Sequence, residues 1–315
     1  MPYVPIIDIS RAPATVAAEL DEVCRTVGFF QITGHGLADG VADRAWTAAT
    51  SFFDLPLADK LSVACPHEGY PYGYIPVAGE SLSRSVAGSA PPDLKEVFNI
   101  GPVTAPDHAM TDPDEASVYS PNLWPAALPE LREAWSGYYT AMSALGARLM
   151  SLFARGLGLP PEFFADKIDK QPNALRAINY PHRETPPLPG QLRAGAHTDY
   201  GTLTILRQDA VGGLEVLDAR GDWAGVEAVP GAFVINIGDL MARWTNDQWR
   251  STLHRVVDPP GAVARRQSMP YFQNANWSAE VTCLPTCLSP GEQPKYPPVL
   301  AGPHLMAKFR KAVQV

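Results

Sequence analysis

The spacing of apolar residues changes character near the middle of the chain. In the first half, apolar positions recur at steps of three and four, which is the spacing of one face of an amphipathic helix. This spacing predicts helices over residues 16–27, 41–52 and 129–158. Short strand-like runs lie at residues 4–9 and 29–32. The first half is therefore predicted to mix helices with strands.

The second half is strand-like over residues 170–275. Apolar and polar residues alternate there in short runs that Gly, Pro, Asp and Asn separate. Such runs are typical of antiparallel sandwiches or jelly rolls, and a last helix is predicted over residues 302–313. The six predicted strands cover residues 175–180, 203–207, 213–217, 232–237, 253–257 and 267–272.

Residues 65–125 differ from both halves because they are rich in Gly, Pro, Ser and Asp. They are predicted to be largely irregular. Long irregular segments in compact domains are often lids or binding loops, so we expect this region to shape a ligand pocket. No internal repeat or low-complexity linker interrupts the chain, so the helices are expected to buttress one β core.

Composition narrows the class of protein. Hydrophobic residues make up 46% and charged residues 18% of the 315 residues, as in ordinary globular enzymes and unlike disordered chains. The net charge of −8 argues against nucleic-acid binding, which needs a basic surface. No apolar run is long enough to span a membrane, and the N-terminus lacks signal-peptide features. With four scattered cysteines, we expect a reduced, cytoplasmic protein without nucleic-acid or membrane partners.

Candidate chemistry centres on His197 and Asp199. The residues around them indicate a turn that runs into a strand, where residues two apart point to the same face. Two ligands hold a metal weakly, and His254 is a candidate third. Two histidines and one carboxylate leave open positions on a metal, and without thiolates they favour Fe(II) over structural zinc. The alternative is a surface histidine, a turn cap and a packed histidine.

A second group of residues makes the metal hypothesis stronger. Arg266 and Ser268 lie two apart on a predicted strand, so their side chains face the same way and can clamp a carboxylate together. Tyr180, on the strand before His197, could donate a further hydrogen bond. An iron, an Arg-Ser clamp and a nearby Tyr suit a 2-oxo acid that chelates the metal. On its own, Arg266 would be interpreted as a charge at a solvated strand edge.

At this point the chain resembles the Fe(II)/2-oxoglutarate-dependent dioxygenases, in particular the isopenicillin N synthase-like branch. The matching segments stand in the family's order and together span nearly the whole chain. They cover residues 4–8, 28–36, 179–181, 197–204, 236–239, 251–256 and 266–272.

The resemblance implies a fold and a site. The fold is mixed α and β with a mainly β core, a cupin-like double-stranded β-helix or jelly roll that helices buttress. The implied iron ligands are His197, Asp199 and His254. Arg266 and Ser268 are expected to bind the distal carboxylate of 2-oxoglutarate, and Tyr180 and Asn179 to help.

The resemblance also implies how the chain is organised and what it uses. We expect one catalytic domain over residues 1–315, with an N-terminal mixed α/β region at 1–125 and the iron- and 2-oxoglutarate-binding core at 170–275. The expected cofactors are Fe(II), 2-oxoglutarate as cosubstrate and dioxygen, with ascorbate in a supporting role. The partner is expected to be a small-molecule substrate that is hydroxylated, desaturated or cyclised. The sequence carries no signal for the oligomeric state.

Other features refine this expectation. His35 lies in a Gly-His-Gly turn outside the family's metal site and is interpreted as structural. Asn236 and Asp239 are interpreted as structural too, in turns or behind the metal ligands. Trp244 could line the pocket or pack in the core. After Pro181 the chain departs from the plant members of the family, which argues against a plant-type substrate and suits a bacterial member. The resemblance to this branch also implies a role in secondary metabolism, including antibiotic biosynthesis.

Two rival functions remain open at this stage. One is an iron oxidase of the same fold that takes no 2-oxoglutarate and uses the Arg-Ser clamp for the substrate's own carboxylate. The other is a non-catalytic β-barrel protein that binds a structural metal. A succinate assay separates the first rival from a 2-oxoglutarate-dependent enzyme, and metal analysis with oxygen uptake separates the second.

Overall fold

The computed structural model describes residues 3–67, 69–82, 91–183, 187–258 and 264–313, with side chains up to residue 310. The strands are β1 (Ile6–Asp8), β2 (Phe29–Thr33), β3 (Gly73–Ile75), β4 (Glu96–Ile100), β5 (Ala174–Tyr180), β6 (Ala194–His197), β7 (Leu203–Gln208), β8 (Leu214–Leu217), β9 (Trp223–Gly225), β10 (Phe233–Ile237), β11 (His254–Val256), β12 (Arg266–Gln273), β13 (Glu280–Val281) and β14 (Val299–Leu300). The helices are α1 (Pro13–Thr26), α2 (Val41–Phe53), α3 (Leu57–Leu61), α4 (Pro113–Val118), α5 (Glu130–Gly156), α6 (Asp239–Trp244) and α7 (Ala301–Val313).

Two sheets form the β core. The main sheet has eight strands in the order β1-β2-β10-β7-β12-β5-β4-β3, and the minor sheet has four in the order β6-β11-β8-β9. Neighbouring strands of the main sheet are antiparallel except β1 and β2. The inner faces of both sheets supply one apolar cluster. This arrangement confirms the predicted double-stranded β-helix.

Each face of the main sheet has its own apolar core, because successive side chains of a strand point to opposite faces. On β5, Leu175 and Ala177 join the cluster that packs against the helices. Ile178 and Tyr180 join the cluster between the sheets. We call the second side the inner face and the helix side the outer face.

The long helix α5 covers the outer face. Its apolar stripe includes Leu131, Trp135, Met142 and Leu149, all fully buried. Removing one such side chain from water contributes roughly 1.5–3 kcal/mol. The indole N–H of Trp135 also donates to the carbonyl of Ala45 in α2, at 3.1 Å. This helix therefore holds the outer side of the sheet, as its spacing predicts.

Gly28 sets the turn from α1 into β2. Its φ is +72°, in the left-handed region that favours glycine. A Cβ there would lie 2.2 Å from the carbonyl oxygen of Arg250. Any other residue would therefore displace the segment that leads into β11.

The predicted elements agree with the structure where periodicity is strong, and they differ where it is weak. All six predicted strands of the second half are present, within two residues at each end. The expectation of irregular structure over residues 65–125 is partly wrong, because β3, β4 and α4 lie there. Helix α2 is preceded by Gly40 in a left-handed conformation, with no side-chain cap. Among the described helices, none is long and apolar enough to cross a bilayer.

Candidate active site

Three side chains that could bind a metal lie close together at one end of the minor sheet. His197 is the last residue of β6 and His254 the first of β11, and the two are directly opposite in the antiparallel register. Their ring centroids are 4.3 Å apart. Asp199 lies in the connection from β6 to β7. The expectation that Asp199 shares a strand face with His197 is therefore wrong, and the loop brings it to the same point instead.

The geometry of this group suits one metal ion. The Oδ1 atom of Asp199 lies 3.8 Å from Nε2 of His197 and 3.8 Å from Nε2 of His254. The candidate ligand atoms of these three residues all lie within 4.8 Å of one another. Two imidazoles and one carboxylate on one side leave the other side open, which is the donor set of non-haem iron oxygenases.

Hydrogen bonds orient each candidate ligand. Nδ1 of His197 lies 2.7 Å from the carbonyl of Gly195, and Nδ1 of His254 lies 3.1 Å from the carbonyl of Thr252. A carbonyl only accepts, so each Nδ1 carries the proton and each Nε2 keeps its lone pair. The three metal-facing atoms are therefore free to bind.

The Asp199 carboxylate is held through its other oxygen. Oδ2 accepts hydrogen bonds from the hydroxyl of Thr204 at 2.5 Å and from the amide of Asn236 at 2.7 Å. Thr204 is on β7 and Asn236 is on β10, side by side in the register of the main sheet. The inner face of the sheet thus fixes the loop ligand.

Electrostatics keep these groups in the forms that bind metal. Burial, with the neighbouring His254, lowers the pKa of His197 to about 3. Burial alone would raise the pKa of Asp199, but the two imidazoles and the hydrogen bonds from Thr204 and Asn236 lower it overall. At neutral pH, His197 is neutral and Asp199 ionised, so neither of these two side chains has to lose a proton before a metal binds.

The Arg-Ser clamp lies further along the inner face of the main sheet. Arg266 is only 1% exposed, and its Nη1 donates to the hydroxyl of Ser268 at 3.2 Å. Its Nε donates to the carbonyl of Gly212 at 2.9 Å and its Nη2 to Oε1 of Gln208 at 3.1 Å. The guanidinium carbon lies 4.9 Å from the ring centroid of Tyr180. These contacts point the guanidinium into the space between the sheets.

The predicted site residues fall on two sides of the sheet. Arg266 pairs with Tyr180 in the register of β12 and β5, so the clamp and the tyrosine share the inner face. Asn179 is on the outer face, where its amide donates to Glu96 at 2.7 Å and its oxygen accepts from Arg265 at 2.7 Å. The structure therefore does not bring Asn179 to the clamp.

Other residues singled out from the sequence have structural positions. The ring of His35 packs on Phe233, with the ring centroids 4.9 Å apart, on the outer face. Trp244 is buried in the outer core, 5.2 Å from Phe164 between ring centroids. Asp239 accepts from Ser251 and Lys308. Asn236, expected to be structural or to lie behind the ligands, donates its hydrogen bond to the candidate ligand Asp199.

The sequence did not reveal two side chains that contact the predicted site residues, Thr204 and Gln208. Both side chains are on the inner face of β7, where Gln208 pairs with Ser268 of β12. A signal was present, because residues 204, 206 and 208 alternate with the buried outer-face residues Leu203 and Ile205. The alternation does not show which of the two faces contacts the candidate ligands, because that depends on how the strands pair.

Comparison with known proteins adds two family matches. Residues 172–275 match the family model of the 2OG-Fe(II) oxygenase superfamily. Residues 4–127 match a second family model, "non-haem dioxygenase in morphine synthesis N-terminal". The first match contains the three candidate metal ligands and the Arg-Ser clamp.

Individual relatives are similar in sequence to this chain over most of their own length. The chain is 36% identical over 307 residues to the 2-oxoglutarate-Fe(II) type oxidoreductase hxnY of Emericella nidulans, covering 94% of this chain and 86% of the relative. It is 36% identical over 295 residues to validamycin A dioxygenase of Streptomyces hygroscopicus, covering 89% and 79%. Among solved structures, a full-length Neurospora crassa protein in complex with alpha-KG and thymine superposes with a TM-score of 0.84 at 29% identity, over 99% of this chain and 97% of that one.

Proposed function

The chain belongs to the 2OG-Fe(II) oxygenase superfamily, and from this premise we propose that it hydroxylates a small organic substrate at the expense of 2-oxoglutarate. It is a 2-oxoglutarate-dependent dioxygenase with Fe(II) as its metal, which confirms the enzyme class and these cofactors as predicted. Desaturation and cyclisation use the same site and differ only in the fate of the substrate. Hydroxylation is favoured because relatives include the proline hydroxylase buaE.

The proposed iron ligands are His197, Asp199 and His254. Bound iron supplies the oxygen chemistry, and the protein supplies position and a dry environment. The carbonyls of Gly195 and Thr252 hold the imidazoles, and Thr204 with Asn236 holds the carboxylate. Because Asp199 is bonded to Thr204 and Asn236 of the inner face, we propose that the open side of the triad faces the space between the sheets.

One observation carries the assignment of the cosubstrate site. Arg266 is almost fully buried, and its hydrogen-bond partners are the neutral groups of Gly212, Ser268 and Gln208. Within the described part of the chain, no carboxylate forms an ion pair with it. A buried guanidinium without a counter-charge is costly. We therefore assign the distal carboxylate of 2-oxoglutarate to Arg266 and Ser268, with Tyr180 packed beside them and Asn179 outside the site.

The proposed catalytic unit is the whole chain. The N-terminal region contributes β1 to β4 to the same sheet as β5, β7, β10 and β12. Because β4 lies beside β5, the region at 1–125 forms one wall of the space that the triad faces. We propose that this wall and the core at 170–275 together select the substrate.

We further propose a role in secondary metabolism. The support is the match to validamycin A dioxygenase of a Streptomyces and to the 2-oxoglutarate-dependent dioxygenase citB of Monascus ruber. Incubating the purified protein with compounds made by the enzymes of neighbouring genes tests this role. Succinate release that responds to none of those compounds would count against it.

The experiment that tests the function measures binding and turnover separately. Arg266→Ala should weaken 2-oxoglutarate binding by about 2–5 kcal/mol, since it removes one side of a buried charge pair. Anaerobic titration calorimetry with Fe(II)-loaded protein measures this loss. Arg207→Ala is the matched control, because Arg207 is also on the main sheet but pairs with Asp43 on the outer side.

Two outcomes would contradict the proposal. Unchanged 2-oxoglutarate affinity in Arg266→Ala would place the carboxylate clamp elsewhere. Wild-type protein that consumes oxygen with a substrate but forms no succinate would favour the rival iron oxidase, with the Arg-Ser clamp holding the substrate's carboxylate.

A further inference from the structure

The side-chain oxygen of a buried asparagine on the inner face lacks a hydrogen-bond partner among the described residues. Asn99 of β4 is 3% exposed, and its side-chain oxygen Oδ1 has no hydrogen-bond partner among the described residues. Buried acceptors are nearly always satisfied, and an exception needs an explanation. A ligand that donates a hydrogen bond would provide one.

Asn99 lies beside an arginine that faces the same space. It pairs directly with Arg176 in the register of β4 and β5. Arg176, Ile178 and Tyr180 alternate along β5 and so share the inner face. Arg176 and Tyr180 are four residues apart, or about 13 Å along the strand. The Asn99–Arg176 pair is therefore on the proposed catalytic face but clear of the 2-oxoglutarate clamp.

A chain of polar contacts links this pair to the metal centre. Its four charged residues, which we call the inner cluster, are Glu80, Asp93, Lys95 and Arg176. Arg176 donates two hydrogen bonds to Glu80, at 3.0 and 3.2 Å. Lys95 lies 3.6 Å from Glu80 and 2.8 Å from Asp93.

The chain ends at a proposed iron ligand. The other oxygen of Asp93 accepts from the backbone N–H of Gly195 at 2.9 Å. The carbonyl of Gly195 in turn accepts from Nδ1 of His197. The position of Arg176 is thus tied to the position of His197 by consecutive contacts.

An aromatic side chain lies between the pair and the metal centre. Phe272 of β12 is half-buried and pairs with Thr204, which holds Asp199. On its other side Phe272 pairs with Ala174, two residues before Arg176. The inner face thus offers an apolar surface next to the polar pair, suited to the carbon skeleton of a small molecule.

The charge balance decides what kind of polar group fits. The inner cluster contains two acids and two bases, and its ion pairs are closed within it. The inner cluster therefore needs no additional counter-charge, whereas the guanidinium of Arg266 has no counter-charge among the described residues. An anionic head group would have to displace Glu80 from Arg176. A cationic one would be buried beside Arg176, while both carboxylates of the inner cluster are already paired, whereas a neutral donor needs only the acceptor on Asn99.

We propose that Asn99 and Arg176 form the substrate-recognition subsite and bind a neutral polar group with an N–H or O–H donor. This inference rests on the proposed function and names the class of its substrate. The donor binds Oδ1 of Asn99, Arg176 borders the same group, and the apolar body packs on Phe272 towards the metal. Compounds with a net charge at this end are disfavoured.

The test compares neutral and charged probes on the Fe(II)-loaded protein. Succinate release is measured with 2-oxoglutarate alone, then with thymine or 2-pyrrolidinone as neutral amides, and with L-homoarginine as a cation. Stimulation by a neutral amide above that by L-homoarginine is expected. Stimulation by the cation only, or by no probe, overturns the inference.

Variants of Asn99 make the test specific. Asn99→Leu should raise the KM for the neutral probe at least tenfold and leave 2-oxoglutarate affinity unchanged. Asn99→Asp keeps the shape and adds a negative charge, so it should shift preference towards L-homoarginine. Asn276→Leu is the control, since Asn276 bonds to Asp166 and Asp169 far from the sheet's inner face.

The result separates this inference from the proposed function. If wild-type protein binds no 2-oxoglutarate and forms no succinate, the function itself is wrong. If it does both, but each Asn99 variant keeps the probe preference and KM of the wild type, only the subsite is wrong. Melting temperatures show whether the variants are folded, and Asn99→Asp covers the case in which Asn99→Leu is not.

Discussion

Lys95 and Glu96 are neighbours in sequence, yet they belong to two buried charge clusters on opposite faces of the main sheet. Lys95 belongs to the inner cluster. Glu96 is the centre of an outer cluster under the helices. The residues of the outer cluster are Lys60, Tyr74, Glu96, Asn179 and Arg265.

The outer cluster is closed. One oxygen of Glu96 accepts from Lys60 at 2.8 Å and from the hydroxyl of Tyr74 at 2.6 Å. The other oxygen accepts from Asn179. Burial and the contact with Glu96 raise the pKa of Tyr74, which keeps its hydroxyl protonated and donating. These bonds tie α3, through Lys60, to β3, β4 and β5.

The inner face carries buried polar groups that the described residues do not fully satisfy. Arg266 has a buried charge without a counter-charge among the described residues, and Asn99 has a buried acceptor without a donor. Satisfied polar networks rigidify a core, whereas unsatisfied groups are costly unless a ligand completes them. We infer that the outer cluster holds the sheet together, and we propose that a ligand completes the open groups of the inner face.

The largest contrast is expected between a histidine of the proposed metal site and a histidine packed on the outer face of the main sheet. His254→Ala removes a proposed iron ligand, and even the loss of a residue that only supports a ligand reduces metal affinity roughly 10–100-fold. We expect a loss above about 100-fold and no succinate release. His35→Ala, on the outer face, should keep the metal affinity and the succinate release of the wild type. Metal analysis of anaerobically prepared protein measures the effect, and iron retained by His254→Ala would remove that residue from the triad.

On the outer face, the effect is expected on stability instead of activity. Glu96→Ala leaves Lys60 buried and unpaired, with side-chain exposures of only 11% and 6% in the original pair. The expected loss is about 3–5 kcal/mol in the free energy of unfolding. Urea denaturation measures it.

The matched control for Glu96 is an exposed ion pair. Glu19→Ala breaks the bond to Arg11, where the side-chain exposures are 42% for Arg11 and 38% for Glu19, and should change stability by no more than about 1 kcal/mol. Similar losses in the two variants would show that the outer cluster does not hold the sheet.

Within the outer cluster, the smallest effect is expected at Asn179, which tests the boundary between the two faces. Asn179→Ala removes two hydrogen bonds to charged groups, so we expect a loss of roughly 1.5–3 kcal/mol in unfolding free energy. Its affinity for 2-oxoglutarate should stay unchanged, because the clamp is on the other face. Calorimetry beside Arg266→Ala checks this, and a shared loss of cosubstrate binding would return Asn179 to the site.

Much of the fold and site could be predicted from local pattern. The alternation of residues 203–207 and 267–272 predicted strands, and the spacing of apolar residues predicted α5, since periodicity depends only on near neighbours. The residue types and order of His197, Asp199, His254 and Arg266 indicated an iron site and a carboxylate clamp. Short segments carry those features, so the sequence alone was enough to predict them.

Only the tertiary structure decided which side chains meet. It placed Asp199 on a loop, turned Asn179 away from the clamp, and joined Glu80, Lys95 and Arg176 across three separate segments. A strand's periodicity shows that two faces exist, but a shift of one residue in register exchanges them. Register and loop path depend on packing against distant segments, which is why the substrate-facing side of this protein emerges only in the folded chain.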